Sequence, residues 1–600
     1  MNSNLRNRTS LWLTSPEKFP TLVWSTSVLV VAIAAILAFL YQLGSTNLID
    51  ETEPLFAEAA RQMTVTGDWI TPYFNGEPRF DKPPLVYWLM AVGYLALGTN
   101  EWAARLPSAL SAIALMAVTF VTLWRFVPPA KLTGRGALMP WGAATLAAVA
   151  IAFNPQTLVW GRTGVSDMLL CACMGSSLLA FFWGYASEGK TSTRAYLAFF
   201  ALMGLAVLTK GPVGFVLPVF IVGAFLLYAG QLKAVLREMR PVRGMLLFLA
   251  IAVPWYVLVM ATNGESYIES FFGYHNFERF TRVVNHHSAP WYFYFLVVLV
   301  GFAPWSVYLP AAIARLQVLP RRAWRNLPRS QQLGGFALFW FAGVFVFFTA
   351  AVTKLPSYVL PLIPAAAILV ALLLAEETLG RPRLRRGWLS VSHWLSFGIW
   401  LVLAVAIATV PFWIGKDPVV DDIDEEIWKS GLTLVGSGVA VAIAMAIEGV
   451  VVSDRRRWMS GVHVVSFAVF LLVMVHPTFQ LLDRLRQEPL RDLADTVNAE
   501  RVPSEELIAI GFKKPSLAFY TQQPVTYLSR PSLGREYLRE RVQNHPESPS
   551  TLAIVDKKRL RKLGLRDEQF DRLDTERRYR LVRIYHDRLD KFTHKDNDID

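Results

Sequence analysis

Residues 195–230 read AYLAFFALMGLAVLTKGPVGFVLPVFIVGAFLLYAG. The stretch is apolar except for Lys210. It is too long for a single crossing of about 30 Å of hydrocarbon, which takes roughly 20 apolar residues. Gly211 and Pro212 follow the lysine. Glycine permits a tight turn and proline cannot continue a helix, so the reading is two membrane helices joined by a hairpin with Lys210 at its tip. Charge-free runs of similar character recur at 22–43, 106–124, 137–161, 168–187, 244–262, 288–314, 330–353 and 355–375, the last two separated by Lys354 and Pro356. Such repetition makes a polytopic α-helical membrane protein rather than a string of soluble cores.

The formal net charge is +13. A basic soluble protein would suggest nucleic acid. Here the cations sit in short loops between spans, no nucleic-acid motif is present, and orientation in the membrane accounts for them. With the N-terminal segment 1–21 in the cytoplasm (Arg6, Arg8, Lys18), every return of the chain meets a basic cluster. These are Arg125, Lys131 and Arg135; Lys190 and Arg194; Lys233 to Arg243; Arg315 to Arg329; Arg381 to Arg386; and Arg455 to Arg457. About 13 spans follow from the length requirement, with the C-terminus outside. The first run is too long for a signal peptide and lacks a small-residue cleavage site, so it reads as an uncleaved anchor. Cys171 and Cys173 lie within one span and offer no disulfide framework.

The membrane body covers 22–482. Its first outer loop, 44–105, is long and rich in acids and aromatics, and contains a short apolar piece, Pro83–Gly98, that reads as an interfacial helix. A further short helix is expected at Pro54–Met63, with proline in its first turn. Two more outer loops cover 263–287, with three histidines, and 416–429, which is acidic. Beyond 482 charges become frequent and apolar runs shorten. Strands are expected near 506–512, 524–529, 552–556 and 579–585, and helices near 515–520, 534–544 and 557–563. Residues 483–600 therefore form a small soluble α/β domain outside the membrane. No internal repeat or inverted half is visible.

The candidate chemistry gathers at the outer face. Loop 44–105 supplies Asp50, Glu51, Glu53, Glu58, Asp81 and Lys82. Any one acid there could instead cap a helix or balance a cation; as a set in a long aromatic loop they point to function. Lys82, Lys210 and Lys354 share that face, where snorkelling to headgroups is the bland reading and binding an anionic lipid phosphate the functional one. Arg162 and Asp167 flank the start of the fourth span and could pair with each other or with groups around a cavity. His275, Glu278 and Arg279 lie in the second outer loop; imidazole with carboxylates could hold a divalent metal, although no compact ligand spacing such as HExxH is present.

The segment 51–85, ETEPLFAEAARQMTVTGDWITPYFNGEPRFDKPPL, resembles the first outer loop of GT-C glycosyltransferases of the lipid A aminoarabinose transferase and protein O-mannosyltransferase type. Further matches come in order along the chain: LTKGPVGFVLP at Lys210, HNFERF at His275, the aromatic 291–294 and 303–305 segments, and TKLPSYVLPLIP at Lys354. The resemblance implies transfer of a sugar from a polyprenyl-phosphate donor at the extracytoplasmic face of the plasma membrane, to a lipid, glycan or protein acceptor. It implies catalytic roles among Asp50, Glu53, Asp81 and Asp167, and donor-phosphate contacts from Lys82, Lys210, Arg279 and Lys354. Some relatives hold a divalent metal, which would fall on Asp81 and His275. The family's acidic pair aligns on Thr52 and Glu53, with Leu55 at its usual arginine, so the base stays open between Asp50 and Glu53. The alternative is a transporter or flippase of a polyprenyl-linked lipid, which would line a path through mid-membrane with its charges.

Overall fold

The structure is a computed structural model describing residues 20–129, 137–269, 271, 289–319, 321–378, 386–415, 417, 419–544 and 548–589. Among the described residues, 10 helices are long and apolar enough to cross a membrane, or up to 12 if two sharply bent pairs each count as one span. The apolar helix Val213–Ala229 is shorter, and the sequence reading counts it as a further span. It packs antiparallel against Gly189–Lys210 across the expected turn, where Gly211 has φ 89°. The helix Pro356–Thr378 lies at the centre, 94% of its apolar window buried, and Ser166–Ala186 packs beside it. Gly387–Trp413 and Pro241–Asn263 lie at the periphery and turn most of their apolar surface outward.

Two runs read as straight spans are broken. Met139–Ala152 and Pro155–Gly161 meet at 62°, and Phe293–Gly301 and Trp305–Arg315 at 111°. Each break falls at a proline, Pro155 or Pro304, which cannot donate a backbone hydrogen bond. Inside hydrocarbon the freed groups must find partners within the protein. Asn154 supplies one set: its Oδ1 accepts from Thr157 N at 2.9 Å and its Nδ2 donates to the Ala150 and Ile151 carbonyls at 2.8 Å. Trp305 joins the breaks, its Nε1 donating to the Phe153 carbonyl at 2.7 Å.

The loop after the first span forms a helix, Glu53–Thr66, then a two-stranded hairpin, β1 (Tyr73–Phe74) and β2 (Glu77–Pro78), then the helix Leu85–Leu97. The last is 13 residues long, about 20 Å, too short to span. It buries Val86, Tyr87, Met90, Ala91 and Tyr94 and exposes Val92, Leu95 and Leu97, as an interfacial helix should.

The C-terminal region carries a five-stranded sheet of β3 (Leu507–Ile510), β4 (Val525–Leu528), β5 (Ser550–Asp556), β6 (Phe570–Glu576) and β7 (Tyr579–Tyr585), in the order β4-β3-β5-β7-β6. β3 runs parallel to β4 and β5; β7 is antiparallel to β5 and β6. Alternation along β3 and β5 splits two cores. Leu507, Ala509, Leu552 and Ile554 join a core continuous with the membrane body. Ile508, Ile510, Ala553 and Val555 pack with Leu538 and Leu563 on the other face. β6 and the helix Glu488–Glu500 are not among the elements expected from the sequence. β6 is an edge strand, irregular between Arg572 and Asp574, and apart from Phe570 its residues are exposed or half-buried, so its sequence carries no apolar alternation.

Candidate functional site

Four of the expected residues converge on one cavity of about 250 Å³. Asp81 and Lys82 enter from the segment between β2 and the interfacial helix. Asp167 comes from the first turn of Ser166–Ala186, and Lys210 is the last residue of its helix. An acid at a helix N-terminus and a cation at a C-terminus both suit the helix dipole. Lys210 Nζ donates to Asp167 Oδ1 at 2.7 Å and sits 5.7 Å from the Tyr358 ring centroid. Lys82 Nζ donates to Asp81 Oδ1 at 2.7 Å, and Arg79 Nη2 to Asp81 Oδ2 at 2.7 Å. The cavity continues between apolar walls that include Val213, Val216, Phe271, Phe347 and Phe348. A polar head with two lysines thus opens onto an apolar cleft, the shape of site that takes an anionic lipid head and part of its chain.

Lys354 lies next to this cavity without lining it. It is 8% exposed, and its ammonium donates to the Thr349 and Ala351 carbonyls at the C-terminal end of Leu333–Ala350. Arg162 and Asp167 do not pair. Arg162 donates to the carbonyls of Ala38, Tyr41 and Gln42, anchoring the end of the first span.

Glu53 and Asp50, left open as bases, occupy different settings. Glu53 is 0% exposed. Both its oxygens are gripped by Arg105, at 2.8 and 2.9 Å, and they accept from Ile49 N at 2.8 Å and Gly164 N at 2.6 Å. Arg105 also donates to the carbonyls of Leu43, Thr46 and Asn47, so the pair clasps loop 44–53 to the turn before Asp167. Asp50 lines a second cavity of about 210 Å³ with Arg105, Arg162, His476 and Asp483. Its carboxylate accepts from Ser516 N at 3.0 Å and Ser516 Oγ at 2.5 Å. Burial pushes its pKa up to about 6, against the hydrogen bonds from Ser516 that lower it. The two cavities flank one turn: Arg162 and Thr163 face the second, Asp167 the first.

His275 and Arg279 lie outside the described residues. Among the described residues no three His, Cys, Asp or Glu side chains gather as metal ligands. Asp81, the other expected ligand, already holds a cation on each oxygen. Sequence reading did not single out Arg79, Arg105, Ser357 or Tyr358. The last two sit inside the TKLPSYV segment, and Arg105 sits at the border of an apolar run, where a buried partner was the available clue.

Residues 81–258 match the family described as dolichyl-phosphate-mannose-protein mannosyltransferase. Residues 500–599 match the C-terminal domain of cyanobacterial RgtA-type glycosyltransferases. The chain is similar to the undecaprenyl phosphate-alpha-4-amino-4-deoxy-L-arabinose arabinosyl transferase 2 of Proteus mirabilis, 26% identical over 83% of this chain and 84% of that protein. An uncharacterized protein of Aquifex aeolicus is 31% identical over 56% of this chain and 69% of its own length. The fold resembles the crystal structure of ArnT from Cupriavidus metallidurans bound to undecaprenyl phosphate, with a TM-score of 0.73 at 23% identity, covering 93% of this chain and 97% of that one.

Proposed function

The chain belongs to the GT-C membrane glycosyltransferases of the aminoarabinose-transferase and protein-mannosyltransferase type, and on that premise we propose that it draws a sugar from a polyprenyl-phosphate donor seated in the Asp81–Lys82–Asp167–Lys210 cavity. The observation that carries this reading is the amphipathic cavity itself, two lysines at the head of an apolar cleft. The phosphate sits by Lys82 and Lys210 and the isoprenoid runs along the Phe347–Phe348 wall. Asp81 and Asp167 keep both ammonium groups in place before the donor arrives, so little is reorganised on binding.

In the transfer, an acceptor oxygen attacks the anomeric carbon and the carbon–oxygen bond to the phosphate breaks. The leaving polyprenyl phosphate gains a negative charge, and the two lysines meet that charge as it grows. Asp50 takes the acceptor proton; it lines the second cavity, and burial pushes its pKa up to about 6, toward the range that suits a general base. Glu53, with its oxygens gripped by Arg105, holds the scaffold. Lys354 supports the cavity wall from the adjoining helix end. Arg279 joins the phosphate contacts by the resemblance alone. Basic clusters at the opposite end of the bundle favour a cytoplasmic N-terminus and an extracytoplasmic site.

Purified protein supplied with radiolabelled undecaprenyl-phosphate sugar should transfer label to an envelope lipid or glycan extract. Lys82→Ala and Lys210→Ala should each lower kcat/KM about 100-fold, the scale for losing one preorganised charge contact. Equal transfer by wild type and both variants would sink the assignment.

A further inference from the structure

The described outer regions contain one contact between the C-terminal sheet and the segment that carries Asp81 and Lys82 whose form is unusual for a domain interface. Asn75 and Gly76 make the two-residue turn of the β1–β2 hairpin, with φ 56° and 84°. Positive φ at both positions is the primed turn that asparagine-glycine pairs favour. The Asn75 side chain then points away from the hairpin. Its Oδ1 accepts from Val525 N at 2.7 Å and its Nδ2 donates to the Val525 carbonyl at 3.0 Å.

Val525 opens β4, which is an edge of the five-stranded sheet. The amide and carbonyl of one strand residue point to the same side. Asn75 therefore plugs the open edge of β4 as a neighbouring strand would. At the other end of the hairpin, Arg79 N donates to the Pro72 carbonyl at 2.7 Å, and the Arg79 side chain reaches Asp81. Asp81 in turn holds Lys82. A continuous path of hydrogen bonds and covalent stem thus joins the sheet edge to the lysine of the donor cavity.

We propose that Asn75 is a positioning residue, through which the C-terminal domain fixes the β1–β2 hairpin and sets Lys82 against the donor phosphate. The proposal rests on the polyprenyl-phosphate donor reading. Among the described residues the domain supplies no side chain to the donor cavity; its contribution is to hold the segment that does. Because charge on the phosphate increases as the sugar leaves, a misplaced Lys82 weakens the transition state more than the ground state. Burial of the isoprenoid, which sets most of donor affinity, is untouched. Loosening the tether should therefore appear in kcat and leave donor KM nearly unchanged.

The test compares Asn75→Gly, which keeps the turn and loses both bonds, with Asn75→Asp, which keeps the acceptor and loses the donor. In the labelled-donor assay Asn75→Gly should lower kcat about tenfold, the effect of losing one to two net hydrogen bonds at a critical position. Donor KM should stay within about twofold, and Asn75→Asp, whose second carboxylate oxygen faces the Val525 carbonyl, should lose rate as well. Hydrogen exchange in the same preparations reads the tether without any donor. Amides of residues 76–82 should exchange faster in Asn75→Gly while those of β3 keep wild-type protection. Wild-type kcat in Asn75→Gly, a loss confined to KM, or unchanged exchange across 76–82 would each overturn the proposal. A wild type that transfers nothing from the polyprenyl donor, with exchange behaving as expected, would instead overturn the donor reading and leave the tether standing.

Discussion

Asp50 joins two demands that pull in different directions. It is half-buried, which penalises its charged form more than the hydrogen bonds from Ser516 favour that form. Its folded pKa near 6 stands above the ordinary value of 3.8. A raised carboxylate pKa means the folded protein binds the proton more tightly than the unfolded chain. The resulting stability is fully present below pH 3.8 and is lost as pH rises through about 6. An Asp50→Asn variant has no titrating group at this position. The stability of the wild type relative to that variant should therefore fall between about pH 4 and 6 and level off near 7, by on the order of 1–2 kcal/mol for a partly exposed group, read from paired melting curves. A flat difference across that range would remove the case for Asp50 as a base tuned by burial. At this scale the sequence was informative in two ways: Lys210 stood out as a charge interrupting an apolar run, where hydrocarbon makes it expensive, and Asp81, Lys82 and Asp167 stood out from the outer loop, the start of a span and the family resemblance. It could not separate Asp50 from Glu53. Their difference lies in Arg105, Gly164 and Ser516, which approach from distant parts of the chain.

Among the elements, the hairpin at Lys210 and the interfacial helix were legible, the first from Gly211-Pro212 and the second from length. The bends were not, because a proline within an apolar run permits a straight, kinked or fully broken helix, and tertiary partners decide. Trp305 is such a partner. It is 1% exposed, and its indole N–H satisfies the Phe153 carbonyl released by the other broken span. Trp305→Phe keeps the ring packing and removes the donor. It should destabilise the protein by about 1–3 kcal/mol, the cost of an unsatisfied buried carbonyl, read as a lower melting temperature in detergent. The bends also place parts of the site. Arg162 and Asp167 come just after the first, and the Gln156 side chain beyond it donates to the Pro356 carbonyl at 3.1 Å. A modest drop in transfer should accompany the lost stability. If Trp305→Phe melts with the wild type, the carbonyl has another partner and the two breaks are independent.

On the scale of the whole molecule, the C-terminal sheet is fastened to the helical body at several separated points. Leu48 N donates to Tyr520 Oη at 2.8 Å, and Asp50 Oδ1 accepts from Ser516 N at 3.0 Å. Arg491 pairs with Glu101 at 3.1 Å, and Lys558 with Asp421 at 3.1 Å. The acidic loop between the spans Gly387–Trp413 and Leu432–Val452 thus meets basic residues of the domain. Loop 44–105, the acidic loop and the domain must therefore share one side of the membrane. The arginines 455–457 come after the next crossing and mark the opposite side. Short basic loops stay cytoplasmic, which gives a definite orientation to test. Cys171 and Cys173 are buried in a span, so the native protein offers no competing exposed thiol among its cysteines. Gln543→Cys, on the exposed surface of the domain, should react with a membrane-impermeant maleimide in intact spheroplasts. Asp454→Cys, exposed in the turn beside the three arginines, should react only after permeabilisation. The reverse pattern would invert the whole arrangement and put the donor cavity on the cytoplasmic face. Labelling of both sites in intact spheroplasts would remove the single crossing between them that the charge distribution requires.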